Sequence, residues 1–261
     1  MQYTKTLIEG VFLKRYKRFF ADIQFQSETL VAHVANTGSL RTVAVPGQAC
    51  LFSRSDNPER KLKYSLEAIA SPQGGWVGVN TSVPNLLVKE LLQGVVGGKA
   101  DDEAAVAGVS SAPAGSGDWA AALDRWQRFD QVQPEYKISA ESRLDFALKK
   151  SGTDRMHFIE VKNVTMVSGR TAQFPDAETV RGQKHLRDLM SLVQQGHSAE
   201  IIFVIQRTDC DSFAPAAEID PEYARLLAEA SHSGVVVTPL EVEVGNKQVQ
   251  FTKRVLAFTK T

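Results

Sequence analysis

The stretch SRLDFALKKSGTDRMHFIEVKNVT, residues 142 to 165, sets Asp145, Glu160 and Lys162 into two apolar runs that otherwise read as strands joined by a turn. Side chains alternate across a strand, so Glu160 and Lys162 share one face while Ile159 and Val161 take the other. On the preceding run Leu144, Phe146 and Leu148 are expected on one face, with Arg143 and Asp145 opposite. If the two strands are neighbours, Asp145 and Glu160 converge. Two converging carboxylates repel unless a cation lies between them, and a hard divalent ion with oxygen ligands suits that gap: Mg²⁺, or Mn²⁺ in its place. A lysine one pleat away can hold an attacking water or neutralise charge developing on a phosphate. Acid, acid and base on adjoining strands thus make an arrangement able to hydrolyse a phosphodiester. The E-x-K spacing alone arises about once by chance in a chain this long, and its ordinary reading is a solvated ion pair.

Elements must exist to hold such a trio. Around it, WAAALDRWQRF (residues 119 to 129) reads as a helix, and YKIS, RLDFALK and HFIEVKNVTMV as strands. ETVRGQKHLRDLMSLVQQG is an amphipathic helix ending at Gly196, and EIIFVIQRT is a buried strand. DPEYARLLAEASHSG is a helix with Asp220 as N-cap, Pro221 at its first position and Gly234 just past its end. VVVTPLEVEV and QVQFTKRVLAF close the chain as strands, giving an α/β domain on a mixed sheet.

Ahead of it, between Thr6 and about Thr81, lie short runs rich in Val, Ile, Phe and Thr, broken by NTG, PG, DNP and PQGG. Five or six strands of this length suggest a small closed barrel of the OB-like kind, because closure removes unpaired edges. PNLLVKELLQ (84 to 93) reads as a helix, and residues 97 to 117, mostly Gly, Ala, Ser and acidic groups, bury little and are expected to form a mobile linker or loop. The expected division is a barrel over 1 to 83, a connecting helix and linker over 84 to 118, and a second domain over 119 to 261.

Of 261 residues, 43% are hydrophobic and 23% charged, which excludes a disordered chain and allows two modest domains. Thirty basic residues balance thirty acidic ones, so no polyanionic partner follows from total charge. The distribution is uneven: residues 1 to 96 carry 11 basic and 7 acidic groups, net +4, against net −4 for the rest, so a nucleic-acid surface would be local. Cys50 and Cys210 lie far apart in apolar settings and are expected as buried free thiols. No apolar run approaches the ~20 residues needed to span a bilayer, so a cytoplasmic protein without membrane contact is expected.

The runs SRLDF, IEVKNVT, FPDAETVRGQKHLRDL and IDPEYARLLAEA, together with LIEGVFLKRYKRFFADI, AHVANTGSL, NPERKLKY and VNTSVPNLLVKE, resemble the sugar fermentation stimulation protein A family over nearly the whole chain apart from residues 97 to 117. The resemblance implies a DNA-binding protein of two domains, an N-terminal OB-like barrel and a C-terminal domain similar to the PD-(D/E)xK nucleases. It assigns Asp145 to the first metal carboxylate, Glu160 to the second and Lys162 to the motif lysine. Leu144 stands where the wider superfamily often has proline. An upstream glutamate often joins such sites; both Glu135 and Glu141 are candidates, and Glu135 is preferred because Glu141 lies only four residues from Asp145. Many nucleases with this core act as dimers, so a homodimer is allowed, although no interface can be read.

Other residues are candidates for binding DNA. KRYKRFF alternates basic groups with aromatics, a composition that can track phosphates and stack bases, with Arg15 and Arg18 the preferred contacts; an edge strand with basic gatekeepers gives the same text. Arg60, Lys61 and Lys63 follow in NPERKLK. Arg181, Lys184 and His185 mark the polar face of the helix after the E-x-K strand, which in nuclease-like folds commonly lends such groups to the substrate phosphate or to the metal-bound water; the alternative is a solvated face with Asp176 as a cap. His33 and Asn36 read as satisfied structural groups beside a turn. The leading expectation is a DNA-binding Mg²⁺-dependent phosphodiesterase; its rival is a non-catalytic DNA-binding regulator of sugar (maltose) metabolism that keeps the nuclease-like shape.

Overall fold

In the computed structural model the described residues are 1–97 and 119–259, so the expected Gly/Ala/Ser-rich linker falls, apart from Gly97, outside them. Strands β1 (Ile8–Tyr16), β2 (Phe20–Phe25) and β3 (Glu28–Val34) form an antiparallel meander, and β4 (Ala49–Arg54) pairs with the other edge of β1. β5 (Tyr64–Ala70) pairs antiparallel with β4 and parallel with β3 through Ala32↔Tyr64 to Val34↔Leu66, and that second pairing closes the barrel. A short β6 (Trp76–Gly78) extends β5. Phe12, Ile23, Val34, Phe52, Leu66 and Ile69 fill the interior. Gly10 is required on β1, since a Cβ there would lie 2.8 Å from Ile23 Cγ2 and 2.9 Å from the Gln24 carbonyl.

Helix α1 (Val83–Val95) carries Pro84 in its first turn and buries Leu87, Val88, Leu91, Leu92 and Val95 at helical spacing. Those side chains pack in one core with Leu51 and Ala68 of the barrel and with Phe146, Ile159 and Val204 of the second domain, so α1 cements the two domains rather than spanning a gap between them.

The second domain is built on a six-stranded mixed sheet in the order β15 (Val249–Val255), β14 (Val236–Val244), β12 (Ser198–Ile205), β9 (Met156–Val164), β8 (Arg143–Lys149), β7 (Gln131–Lys137). The central pairs β9·β12 and β12·β14 are parallel and the outer ones antiparallel. α1 and α2 (Trp119–Gln127) cover one face; α3 (Val180–Gln194) and α4 (Pro221–His232) cover the other, over Phe158, Ile201, Phe203 and Ile205. A smaller sheet of β10 (Met166–Ser168), β11 (Thr171–Phe174), β13 (Ser212–Pro215) and β16 (Ala257–Phe258) stands beside it.

The expected faces of β8 need one correction. Phe146 and Leu148 pack under α1, but Leu144 lies in the core under α3 and α4. The ladder between β8 and β9 runs only from Lys149↔Met156 to Phe146↔Ile159. Beyond it the Val161 N–H donates to Asp145 Oδ2 at 2.8 Å, so a side chain occupies the place of the next backbone partner and β8 departs from regular alternation.

The interface between domains is polar at its rims. Ser39 Oγ donates to the Asp176 carbonyl at 3.0 Å, and the Leu40 N–H donates to Asp176 Oδ2 at 3.2 Å. At another rim Ser71 Oγ donates to Asp209 Oδ2 at 2.6 Å, and the Gly78 N–H to the Gln206 carbonyl at 2.9 Å. Asp176 therefore joins domains instead of capping α3; Thr179 is that cap, accepting from the Gly182 N–H at 3.1 Å.

Candidate active site

β8 and β9 are antiparallel neighbours, and continuing their register past Phe146↔Ile159 sets Asp145 opposite Glu160. Glu160 and Lys162 lie on the α3 side of the sheet, with Ile159 and Val161 in the opposite core. Lys162 Nζ donates to Glu160 Oε1 at 2.6 Å, and His185 Nδ1 of α3 forms a short contact with the same oxygen. His185 also stands 3.4 Å from Lys162 Nζ, so two side chains converge on one carboxylate oxygen.

The other oxygen is different. Glu160 is 3% exposed, and its Oε2 is buried with no hydrogen-bond partner. An ionised oxygen left alone in the interior is costly, and in proteins such groups are paired or hold metals. Asp145 is half-buried and better satisfied: Asn85 Nδ2 donates to Oδ1 at 2.7 Å and the Val161 N–H to Oδ2. Burial, reinforced by the Glu160 charge, pushes Asp145 up to about 6. Burial also opposes charge on Glu160, but Lys162 and His185 outweigh it and hold Glu160 below the usual carboxylate range. The two acids are thus driven apart in proton affinity by their surroundings.

Among the described residues no set of three or more His, Cys, Asp or Glu side chains forms a ready metal cage. Two carboxylates, one with an orphan oxygen, are still the donor set a Mg²⁺-like ion takes when water and phosphate complete its shell. The residues fit such an ion.

These groups line the floor of a cleft of about 590 Å³ between the domains. Its walls include Arg18 and Asn36 of the barrel, Asn85 of α1, and Glu178 and Arg181 at the start of α3. Arg18 arrives there because Lys17 and Arg18 both take positive φ (45° and 63°) in the turn between β1 and β2, so KRYKRFF is a hairpin tip. Arg15 supports it: its guanidinium donates to the carbonyls of Arg18, Asn36 and Gly38 at 2.6 to 2.7 Å, a structural use of most of its donors. Asn36 is satisfied as expected, donating to the Val79 carbonyl and accepting from the Gly38 N–H.

Arg60, Lys61 and Lys63 lie on the β4–β5 connection and do not line the cleft; Arg60 donates to Ser65 Oγ and Lys63 to the Pro58 carbonyl. Lys184 pairs with Asp188 at 3.6 Å, and with Arg181 and His185 it lines an adjoining depression. Glu135 lies in that depression too and is not brought into the cleft. It is level with Asp145 in the β7–β8 register, but a φ of +53° takes it out of extended geometry, and it is exposed and paired with Arg143 at 3.2 Å. His185, expected to serve the substrate phosphate or the metal-bound water, is buried against Glu160.

Sequence reasoning missed Asn85. Its only signal is a polar residue three and seven positions before the fully buried Val88 and Leu92. It also missed Glu200, buried on the opposite face of the sheet, where Arg125, His157 and Trp126 each reach it at 2.9 Å and Thr238 donates to it as well. Gln183 is spent on Asp220 at 3.0 Å, and Asp220 caps α4 as expected, accepting from the Tyr223 N–H at 2.8 Å. Cys50 and Cys210 are buried and free.

A closed five-stranded barrel joined to a six-stranded mixed sheet with helices on both faces, with two acids and a lysine on adjacent sheet strands, defines a class of two-domain barrel-and-sheet proteins. Within it, residues 13–79 match the family profile described as the SfsA N-terminal OB domain, and residues 83–248 match the sugar fermentation stimulation protein RE domain. The chain belongs to the sugar fermentation stimulation protein family. It is 58% identical over 256 residues to the sugar fermentation stimulation protein homolog of Bdellovibrio bacteriovorus, covering 98% of each chain. To the homolog of Geotalea uraniireducens it is 39% identical over 253 residues, covering 97% of each. Among solved structures, Pyrococcus furiosus SfsA in complex with Ca²⁺ shares the fold with a TM-score of 0.78 at 22% identity, over 99% of this chain and 98% of that one. Among the described residues no helix is long and apolar enough to cross a membrane.

Proposed function

We propose that this chain is a DNA-binding, Mg²⁺- or Mn²⁺-dependent phosphodiesterase. The observation that carries the reading is the buried, unpartnered Glu160 Oε2 beside Asp145. Support also comes from the Pyrococcus furiosus relative, whose structure is in complex with Ca²⁺, a hard oxygen-seeking cation like Mg²⁺.

Asp145 and Glu160 would hold the ion, which when bound supplies a Lewis acid for the phosphodiester and lowers the pKa of water. Asn85 and the Val161 N–H fix both oxygens of Asp145, so that carboxylate is oriented before substrate arrives. His185 and Lys162 bind one oxygen of Glu160 and leave the other directed to the ion. Lys162 brings positive charge to the floor of the cleft, where it stabilises charge developing on the phosphate. Arg18 and Arg181 on the walls would bind flanking phosphates, with Arg60, Lys61, Lys63 and Lys184 as outer contacts. DNA is the proposed partner and the cytoplasm the proposed location, where the free buried thiols Cys50 and Cys210 stay reduced.

The test is cleavage of single-stranded, duplex and branched DNA with Mg²⁺ or Mn²⁺ by the pure protein, Glu160→Ala and Lys162→Ala, with DNA binding measured for all three. Cleavage lost in both variants with binding retained is expected. Equal traces in all three, or none, with salt-sensitive binding intact, would replace the enzyme with a non-catalytic DNA-binding regulator.

A further inference from the structure

We infer that the strand reaching Asp145 and Glu160 is unpaired, so that the substrate is single-stranded DNA or a single-stranded segment of a longer molecule. This rests on the phosphodiesterase reading for its chemistry and on three independent observations for its geometry.

The first is recess. Glu160 is 3% exposed and the Lys162 side chain 13%, both on the floor of a cleft walled by two domains. A B-form duplex is a stiff rod with a persistence length of about 150 bp. Its phosphates lie on a convex surface beside a second strand, so a duplex reaches a recessed carboxylate only by seating its whole width between the walls, for which a cleft of about 590 Å³ is small.

The second is that the opposing wall is fastened. Besides the Ser39 and Leu40 bonds to Asp176, the Val167 N–H donates to Thr42 Oγ1 at 3.3 Å, and Ser71 and Gly78 tie the barrel to Asp209 and Gln206. The apolar core shared through α1 lies between these rims. Opening the cleft to admit a duplex would break contacts at more than one edge.

The third is chemical. Phe19, next to Arg18 on the hairpin tip, is 41% exposed and stacks on His33 with ring centroids 6.5 Å apart. An exposed aromatic surface beside a cation suits unpaired nucleotides, whose base faces are free to stack, and has no use for a duplex, whose base faces are covered. Phe19 would take a base, Arg18 the adjacent phosphate, and the strand would descend to the two carboxylates.

The experiment measures binding of full-length protein without divalent metal to a fluorescent single strand and to the same sequence closed into a duplex by hairpin caps at both ends. Cleavage of both is then followed with Mg²⁺ or Mn²⁺, alongside Phe19→Ala and Arg18→Ala variants of unchanged thermal midpoint. At least tenfold tighter binding of the single strand is expected, lost in Phe19→Ala. Arg18→Ala should flatten the salt slope, d log K/d log[salt], by about 0.7, one phosphate contact. Equal or tighter binding of the closed duplex, internal cleavage of it at the single-strand rate, or an indifferent Phe19→Ala would overturn the inference. Tight single-strand binding without hydrolysis would leave the strand preference standing and remove the phosphodiesterase reading instead.

Discussion

Asn85, on the helix that leaves the barrel, donates its side-chain amide to Asp145 Oδ1 at 2.7 Å across sixty residues of chain. The first carboxylate of the site is thus held by the domain junction as well as by its own strand. Burial, then the Glu160 charge, raises Asp145 to about 6, while the Val161 N–H, Lys162 and Asn85 work in the other direction.

A pH dependence follows with a definite sign. Below about pH 6 folded Asp145 carries a proton that a divalent cation must displace, so Mn²⁺ affinity should fall up to tenfold per pH unit there. For folding the sign is reversed: a raised carboxyl pKa favours the native state at low pH, and that contribution is lost as pH rises through about 6. Asn85→Ala removes a donor to the charged form and should move the onset of metal binding to higher pH. Calorimetric titration with Mn²⁺ from pH 5 to 8 measures both proteins; an unmoved profile in Asn85→Ala would mean the amide does not tune this acid.

His185→Ala should cut metal-dependent turnover or metal affinity by about 10–100-fold, the usual effect of losing a group that orients a metal carboxylate. DNA affinity should be unchanged, because the imidazole is buried against Glu160. Parallel kinetics and binding isotherms decide; lost DNA affinity with intact turnover would restore His185 as a phosphate contact.

Acid stability should depend on Glu200. Burial opposes its charge, yet hydrogen bonds and charge from His157 and Arg125 bring it down to about 2 from an ordinary 4.5. The stabilisation, on the order of 3 kcal/mol, is complete above the unfolded value and lost as pH falls from about 4.5 towards 2. Glu200→Ala should cost about 3–5 kcal/mol at pH 7, since it strands buried partners. Urea melts from pH 2.5 to 7 would show the variant's pH slope flattened; a parallel curve would move the acid transition to other groups.

Gly38→Ala should loosen the fastening of the two domains. A Cβ there would lie 2.4 Å from Asp176 Oδ2, the oxygen that accepts from the Leu40 N–H. Displacing that carboxylate should cost about 1–3 kcal/mol. Hydrogen exchange at Leu40 is the sensitive readout; protection equal to wild type would show that Asp176 yields at no cost to the latch.

The E-x-K strand, the amphipathic helix after it and the barrel strands were legible because each is a local pattern: alternation over five to nine residues, or apolar spacing with a cap. The β8 irregularity was not, because it depends on the Asp145 side chain taking the Val161 N–H, a contact between strands. Asp176 looked like a cap because a helix begins soon after it; its partners, Ser39 and Leu40, are more than 130 residues away. Glu135 and Asp145 are level across two strands, but a single backbone angle directs Glu135 elsewhere, and neither Gly nor Asn marks that position.

By itself the sequence determined the two domains, the strand bearing Glu160 and Lys162, and the residue types able to hold a divalent ion, all consequences of side-chain periodicity and chemistry along the chain. Only the tertiary structure decided that Asn85 and His185 touch the Asp145 and Glu160 carboxylates, that Glu135 turns away from them, and that Arg18 overlooks them from the other domain. Those assignments depend on distances through space between residues far apart in the chain, which closure of the barrel and the shared α1 core bring about and which no local pattern encodes.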